Sequence, residues 1–362
     1  MALNSSGAIS LGGSTAGQSV NLELGQAAGA TITMNDTNLR TLFGVASGTI
    51  SLSQGYGKST SASKGYFGGG RTSTLGWTTE ISGVVFATDT SVDPAAVVTG
   101  RKTGYGWNTS STGYWGAQLN PDYGPSVIAS FDFSTEACAT VNTDTSINLG
   151  IQVYSSHFMN STVKGYRGLG TPTGGNIKGY TFSTNTVGSF QSYLVQGREL
   201  SGAVQSKATN KGYTAGGFNF NTPYPYTDYN QIDGLNFSND TIIDPAAALA
   251  QARRGVNRDG LNSSTRGYWV GGEVGITSQT QIDGIQFSNE AAINPAAALG
   301  GGTNTSSVVS EQKSWMSTFP STYSTKTMTN FVFSTESFTA ASATFSAVNR
   351  IGGVGIQNAE GT

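Results

Sequence analysis

Four carboxylates sit at matched places in two nearly identical phrases, Asp233 and Asp240 in QIDGLNFSND and Asp283 and Glu290 in QIDGIQFSNE. Two carboxylates about 5–9.5 Å apart across a sugar would suit glycoside hydrolysis. Yet a catalytic pair needs to be made only once. Acids that return at the same place in successive units point to a structural duty, such as turn capping or a solvated edge. The other reactive groups are few. Cys138 is the one cysteine and lies in an apolar run, where it reads as a small buried filler. A lone cysteine allows neither an internal disulfide nor a Cys-based zinc site. His157 is the one histidine; it excludes multi-His metal sites, and no Ser–His–Asp signature surrounds it. Gly68-Gly69-Gly70 and Gly300-Gly301-Gly302 neither follow the phosphate-loop pattern nor open a βαβ helix. No Asp-x-Asp-x-Asp-Gly calcium loop occurs. The expectation is a protein that is not an enzyme and takes no cofactor and no metal.

Composition narrows the class. Glycine supplies 50 of 362 residues and charged residues only 11%, against about 25% in ordinary soluble chains. Aromatics at 10% and a net charge of −2 argue against disorder. The surface must therefore be covered by Ser, Thr, Asn and Gly, as is common in extracellular and virion β proteins. Arg101-Lys102 and Arg253-Arg254 are pairs rather than patches, so nucleic acid is not an expected partner. No run approaches the roughly 18–20 apolar residues that span a bilayer, and membrane insertion is not expected. With Arg40 the first basic residue, a secretory signal peptide is not expected either.

The repeated phrase has six copies. ISGVVFATD, IASFDFSTE, IKGYTFSTN and MTNFVFSTE join the two above, placing an aromatic at Phe86, Phe133, Phe182, Phe237, Phe287 and Phe333, with steps of 47, 49, 55, 50 and 46 residues. A second phrase precedes each copy: KGYFGGG, TGYWGA, KGYRGLG, KGYTAGG, RGYWVGG and KSWMSTF, in units starting near residues 64, 112, 164, 211, 266 and 313. A third, VDPAAVV, IDPAAAL and INPAAAL, is clear in three units and offers one short helical turn apiece. Period-two alternation in Ile-x-Gly-Ile-x-Phe is the strand signature. Four short strands per fifty residues describe a propeller blade.

Arg266-Gly267-Tyr268-Trp269-Val270-Gly271-Gly272 followed by Ile282–Phe287 resembles the kelch repeat, although Pro-Ala-Ala-Ala stands where the kelch unit carries a spaced Trp. The fold class expected is all-β: a six-bladed kelch-like β-propeller over residues 61–362. Its phasing adds a closure. The first Gly-Tyr strand, at Gly65, lacks an upstream partner, and Arg350–Ile356 is a surplus strand at the other end. That C-terminal strand should complete the first blade and remove two free sheet edges.

Residues 1–60 carry no blade phrase and read as a small β-rich docking module with one short helix. Val20, Leu22 and Leu24 alternate, as do Ile50 and Leu52. Leu39, Leu42 and Phe43 fall on one helical face behind a cap at Asp36, with Gly44 and Gly48 to end the helix. Three apolar residues make a poor core, so this face is expected to dock on the propeller, on copies of itself or on another protein. Ser10-Leu11-Gly12-Gly13-Ser14, Val20–Gly25, Leu39-Arg40-Thr41-Leu42 and Gly48–Ser59 resemble the N-terminal module of virion structural proteins of tailed bacteriophages. The resemblance implies a virion location, multiple copies per particle and docking on other virion proteins through residues 1–60.

Connections between the second and third strands should leave one face of the ring. They carry Trp77, Tyr123, Tyr224, Tyr226, Tyr229, Phe319 and Tyr323. Aromatics amid Asn and Thr either stack on a host glycan or anchor a receptor, or pack their own loops. Three functions stay open: a tail, baseplate or neck-attached fibre-like adsorption protein; a scaffold that binds only other structural proteins, capsid decoration included; and a glycan depolymerase.

Overall fold

A computed structural model describes the chain except residues 1–2, 5, 16, 25, 46, 57–63, 71–77, 87, 99–101, 119–125, 143–157, 169–175, 195–196, 220–225, 258, 300–305, 311, 318–326, 345–353 and 358–362. The chain divides into two compact units, Met1–Ala62 and Ser63–Thr362.

The larger unit is a six-bladed β-propeller, each blade a four-stranded antiparallel sheet. The first strands are Val354–Gln357, Lys102–Asn108, Phe158–Asn160, Gly202–Ser206, Leu261–Asn262 and Ser307–Val309 for blades 1 to 6. Each has the first strands of both adjacent blades as neighbours, so the six close a circle. The second strands, among them Lys64–Gly68 and Arg266–Val270, carry the Gly-Tyr phrase, and the third strands, among them Ile81–Val85 and Ile282–Gln286, carry the Phe phrase. Closure is achieved as expected. Val354–Gln357 pairs antiparallel with Lys64–Gly68, Tyr66 opposite Ile356 and Gly68 opposite Val354. Strict alternation of exposure does not appear in these strands. Ile81, Ser82, Gly83 and Val84 are all buried, because a sheet between two neighbouring sheets has no solvent face. The Pro-Ala-Ala phrases form no helical turn. Each bends once, at Ala95, Ala246 and Ala296; Val97 bridges to Glu80 and Ala248 to Gln231, and Val98, Leu249 and Leu299 plug into the core.

The two repeated phrases meet across blade boundaries. The aromatic of each Gly-Tyr phrase stacks on the Phe of the next blade at all six seams: Tyr66 on Phe133, Tyr114 on Phe182, Tyr166 on Phe237, Tyr213 on Phe287, Tyr268 on Phe333 and Trp315 on Phe86, at interplanar angles of 10–15°. A charged clasp lies beside the stack. Lys64 Nζ and Tyr66 Oη both donate to Glu136, at 2.6 and 2.7 Å. Lys164 and Tyr166 do the same to Asp240, Lys211 and Tyr213 to Glu290, and Arg266 and Tyr268 to Glu336. At the closing seam Trp315 Nε1 donates to Asp89, with Lys313 3.9 Å away. Burial works against the charge of Glu136 and Glu290, but the donated hydrogen bonds outweigh it and hold both below the usual carboxylate range.

One seam lacks the ions. Between blades 2 and 3 the basic position is Thr112 and the acid position is Asn185. Both members changed together, and Asn185 keeps the positive φ of its counterparts, 52° against 54° for Glu136. The double substitution Thr112→Lys with Asn185→Glu should therefore install the missing clasp. We expect a coupling of about 0.5–1 kcal/mol beyond the two single changes, as for a well-oriented, half-exposed pair. A double-mutant cycle by urea denaturation measures it, and a coupling near zero would deny the ion pair any share in holding blades together.

Side chains also cover the inner edges of four of the sheets. First-strand backbone groups that face the axis would be orphans. Asn160, Gln205, Asn262 and Gln357 reach sideways to serve them. Asn262 Oδ1 accepts from Gln205 N–H at 2.7 Å, Gln357 Oε1 accepts from Val309 N–H at 3.2 Å, and Gln205 Oε1 accepts from Asn160 N–H. Asn160 Nδ2 donates to Asn108 carbonyl at 2.8 Å. Glycine in the Gly-Tyr phrase makes room for the preceding blade's first strand. A Cβ at Gly165 would lie 2.2 Å from the Trp107 ring, and one at Gly113 2.0 Å from Ile356.

The smaller unit departs from expectation. Among its described residues are two α-helices, Val20–Glu23 and Thr37–Phe43, and a 3-10 turn, Leu52–Gly55, but no strand. Val20 and Leu24 are one helical turn apart and point inward, whereas Leu22 between them is 38% exposed; so short an alternation fits either period. Asp36 caps Thr37–Phe43, its carboxylate accepting from Asn38 and Leu39 N–H. Leu39, Leu42 and Phe43 do not form an outward face. They are buried with Leu3 and Val20 and packed by Ile9, Leu11, Ile32, Met34 and Val45. Apolar residues scattered over fifty positions assemble a core that a single helix could not.

Candidate recognition face

In an antiparallel meander the second-to-third connections and the returns from fourth to first strand leave one end of the ring, and the acid-bearing turns leave the other. The acids are spoken for. Asp240 and Glu290 hold the preceding blade. Asp233 and Asp283 are buried against Arg198 and Arg253, with all four side chains at 0–1% exposure. Arg198 also donates to Gln231 carbonyl at 2.9 Å, and Arg253 Nε to Gly271 carbonyl at 2.7 Å. Burial pushes Asp233 up despite Arg198. Each arginine thus pins the return segment of its blade to the third strand. Among the described residues no cluster of three His, Cys, Asp or Glu side chains could hold a metal, and no helix is long and apolar enough to cross a membrane. Cys138 is half-buried against the core of blades 1 to 3.

Blades 4 and 5 build outward on the loop end. Phe218–Asn219 pairs with Thr227–Asp228, and Glu273–Val274 with Thr277–Ser278, giving two small hairpins. Arg254 braces both. Its backbone exchanges hydrogen bonds with Glu273, its guanidinium donates to Gly275 carbonyl, and it stands 3.7 Å from Asp228. Its charged carbon also lies 4.9 Å from the Phe218 ring centroid and 5.8 Å from that of Tyr226. Asp228 Oδ2 accepts from Gly275 N–H at 3.2 Å, tying one hairpin to the other.

Two of the seven aromatics expected on this face lie among the described residues. Tyr226 is half-buried and packs on Phe218, ring centroids 5.1 Å apart, so its ring supports the hairpin. Tyr229 is also half-buried, and its backbone bonds Gly217 and Arg253. Trp77, Tyr123, Tyr224, Phe319 and Tyr323 lie outside the described residues, as does His157. The most exposed large apolar side chain described is Ile276, at 89%, on the tip of the blade 5 hairpin. Sequence reasoning passed it over because it sought aromatics; the signal was an isolated Ile after Gly in Val274-Gly275-Ile276-Thr277, where a hairpin turn leaves nothing to pack against.

Neither the protein-family models nor the curated proteins compared with this chain match it.

Proposed function

We propose that the protein is a non-enzymatic structural component of a tailed-bacteriophage virion. Residues 1–60 dock on other virion proteins, and the propeller offers the loop end of blades 4 and 5 to a host surface glycan or receptor, in the manner of a fibre-like adsorption protein. The observation that carries the recognition half is Ile276, almost wholly exposed on a hairpin that Arg254 holds in place. Rigid support matters because an anchor already ordered loses little entropy on binding. The virion half is supported by the resemblance of residues 10–59 and by a surface rich in Ser, Thr and Asn. With Leu39, Leu42 and Phe43 buried, docking falls to exposed groups such as Leu22 and Tyr56.

One observation favours a second reading. An isoleucine suits a pocket on a protein better than a sugar ring, which prefers an aromatic platform, so Ile276 also fits a scaffold that binds only structural proteins, capsid decoration included. Purified protein applied to bacterial cells, extracted polysaccharide and disrupted virions separates the readings: cell or glycan binding favours adsorption, capture of virion proteins alone favours the scaffold, and shortening of the glycan would bring back a depolymerase. In whichever arm binds, Ile276→Asp should weaken affinity at least tenfold, about 1.4 kcal/mol, with an unchanged melting temperature. Equal affinity would remove this face from the account.

A further inference from the structure

The second strand of blade 3 reads Lys164-Gly165-Tyr166-Arg167-Gly168. Where it carries Arg167 the other blades carry Phe67, Trp115, Thr214, Trp269 and Met316. Trp115 and Trp269 reach back to the first strand of the preceding blade, donating to the carbonyls of Val354 and Gly202 at 2.9 and 3.1 Å. Arg167 reaches the same way, its guanidinium carbon 5.1 Å from the ring centroid of Tyr105 in the first strand of blade 2. The two side chains are deeply enclosed, at 4% and 0% exposure. The Tyr105 ring lies over Gly116, where a Cβ would come within 1.7 Å of it.

Several of their donors have no acceptor among the described residues. Arg167 Nε and Nη1 and the Tyr105 hydroxyl are all buried without a hydrogen-bond partner. Burial brings the guanidinium down to about 10 and pushes the phenol up to about 12, so near neutral pH one is a cation and the other a neutral donor. An unpaired buried charge is among the costliest features a fold can hold, and a tyrosine ring beside it offsets only part of that cost. Buried polar groups in folded proteins are otherwise nearly always satisfied. The seam is also the one without a base–carboxylate clasp, since Thr112 and Asn185 stand there.

We propose that the seam between blades 2 and 3 binds a small oxyanion, a carboxylate, phosphate or sulfate group, held by the Arg167 guanidinium and the Tyr105 hydroxyl. Three buried donors that find no hydrogen-bond partner among the described residues, together with a positive charge, select an anion rich in acceptor oxygens. A cation is repelled by the guanidinium, and a neutral sugar leaves its charge uncompensated. Bound there, the anion joins two blades that lack the ionic contact of the others.

The test titrates acetate, inorganic phosphate and sulfate into the full-length protein against chloride at constant ionic strength, reading the melting temperature. We expect at least one of the three to give a saturable rise, about 5 °C at a hundredfold excess over its Kd; comparing acetate with the two tetrahedral ions tells which shape the site takes. Arg167→Met, close in volume and uncharged, should remove the rise, which separates binding from the general stabilisation that sulfate and phosphate give any protein. Tyr105→Phe should keep the rise but shift its midpoint at least tenfold upward, and it decides the matter if Arg167→Met does not fold. No saturable rise in the native protein, the same rise in Arg167→Met, or an unmoved midpoint in Tyr105→Phe would overturn the proposal.

Discussion

Removal of residues 350–362 should yield aggregate or a loose, protease-sensitive product under conditions where the full chain is native. The deletion takes the first strand out of blade 1. Val354 and Ile356, at 2% and 0% exposure, leave the core; fully burying such side chains contributes about 1.5–3 kcal/mol each. Trp115 Nε1 loses its acceptor on Val354, and Val309 N–H loses Gln357. Lys64–Gly68 becomes a bare edge, and its Gly-rich backbone could pair with other chains. These losses together rival the entire net stability of a domain, about 5–15 kcal/mol. Size-exclusion chromatography and thermal melting provide the measurement. A truncated monomer that melts with the full-length protein would mean that the ring does not depend on its seal.

Arg253→Met should cost about 3–5 kcal/mol, far more than its burial of aliphatic carbon would suggest. Asp283, 1% exposed, would be left charged in the interior of blade 5, and the carbonyls of Gly271 and Trp269 would lose donors. The double change Arg253→Met with Asp283→Leu should recover most of the loss, because a well-packed apolar pair is about as stable as a buried ion pair. Urea midpoints for the single and double variants decide this. A single-variant loss below about 1 kcal/mol would show that Asp283 does not depend on Arg253.

Repetition made the ring legible before any coordinate. Six phrases with an aromatic in register, together with a surplus strand at one end and a missing one at the other, implied the number of blades and the way they close. What spacing could not tell is which copy a residue faces. Tyr66 and Phe86 sit in one unit, yet Tyr66 stacks on Phe133 and Phe86 on Trp315, and only the packing of sheet on sheet decides that. The same limit hid the duty of Asp240 and Glu290, which look like turn residues and act as hooks. In the first sixty residues helical turns stand where short strands were expected, because three-residue alternation and a single helical turn share their apolar positions. The loop end of the ring was legible from the strand order, but not which of its side chains stand exposed. Tyr226 turned inward under Arg254, and Ile276 took the exposed tip.

Every seam has the same polarity. A blade extends its tyrosine, or Trp315 in blade 6, toward the blade ahead and presents its phenylalanine to the one behind. A base and an acid stand beside them at every seam but that of blades 2 and 3, so the contact is head-to-tail and asymmetric. Such joints close only because each turns the next sheet by a sixth of a revolution. It follows that the units are modular in one direction: a copy of blade 5 grafted in place of blade 4 would find the right socket on either flank, whereas the same blade inserted back to front would find none.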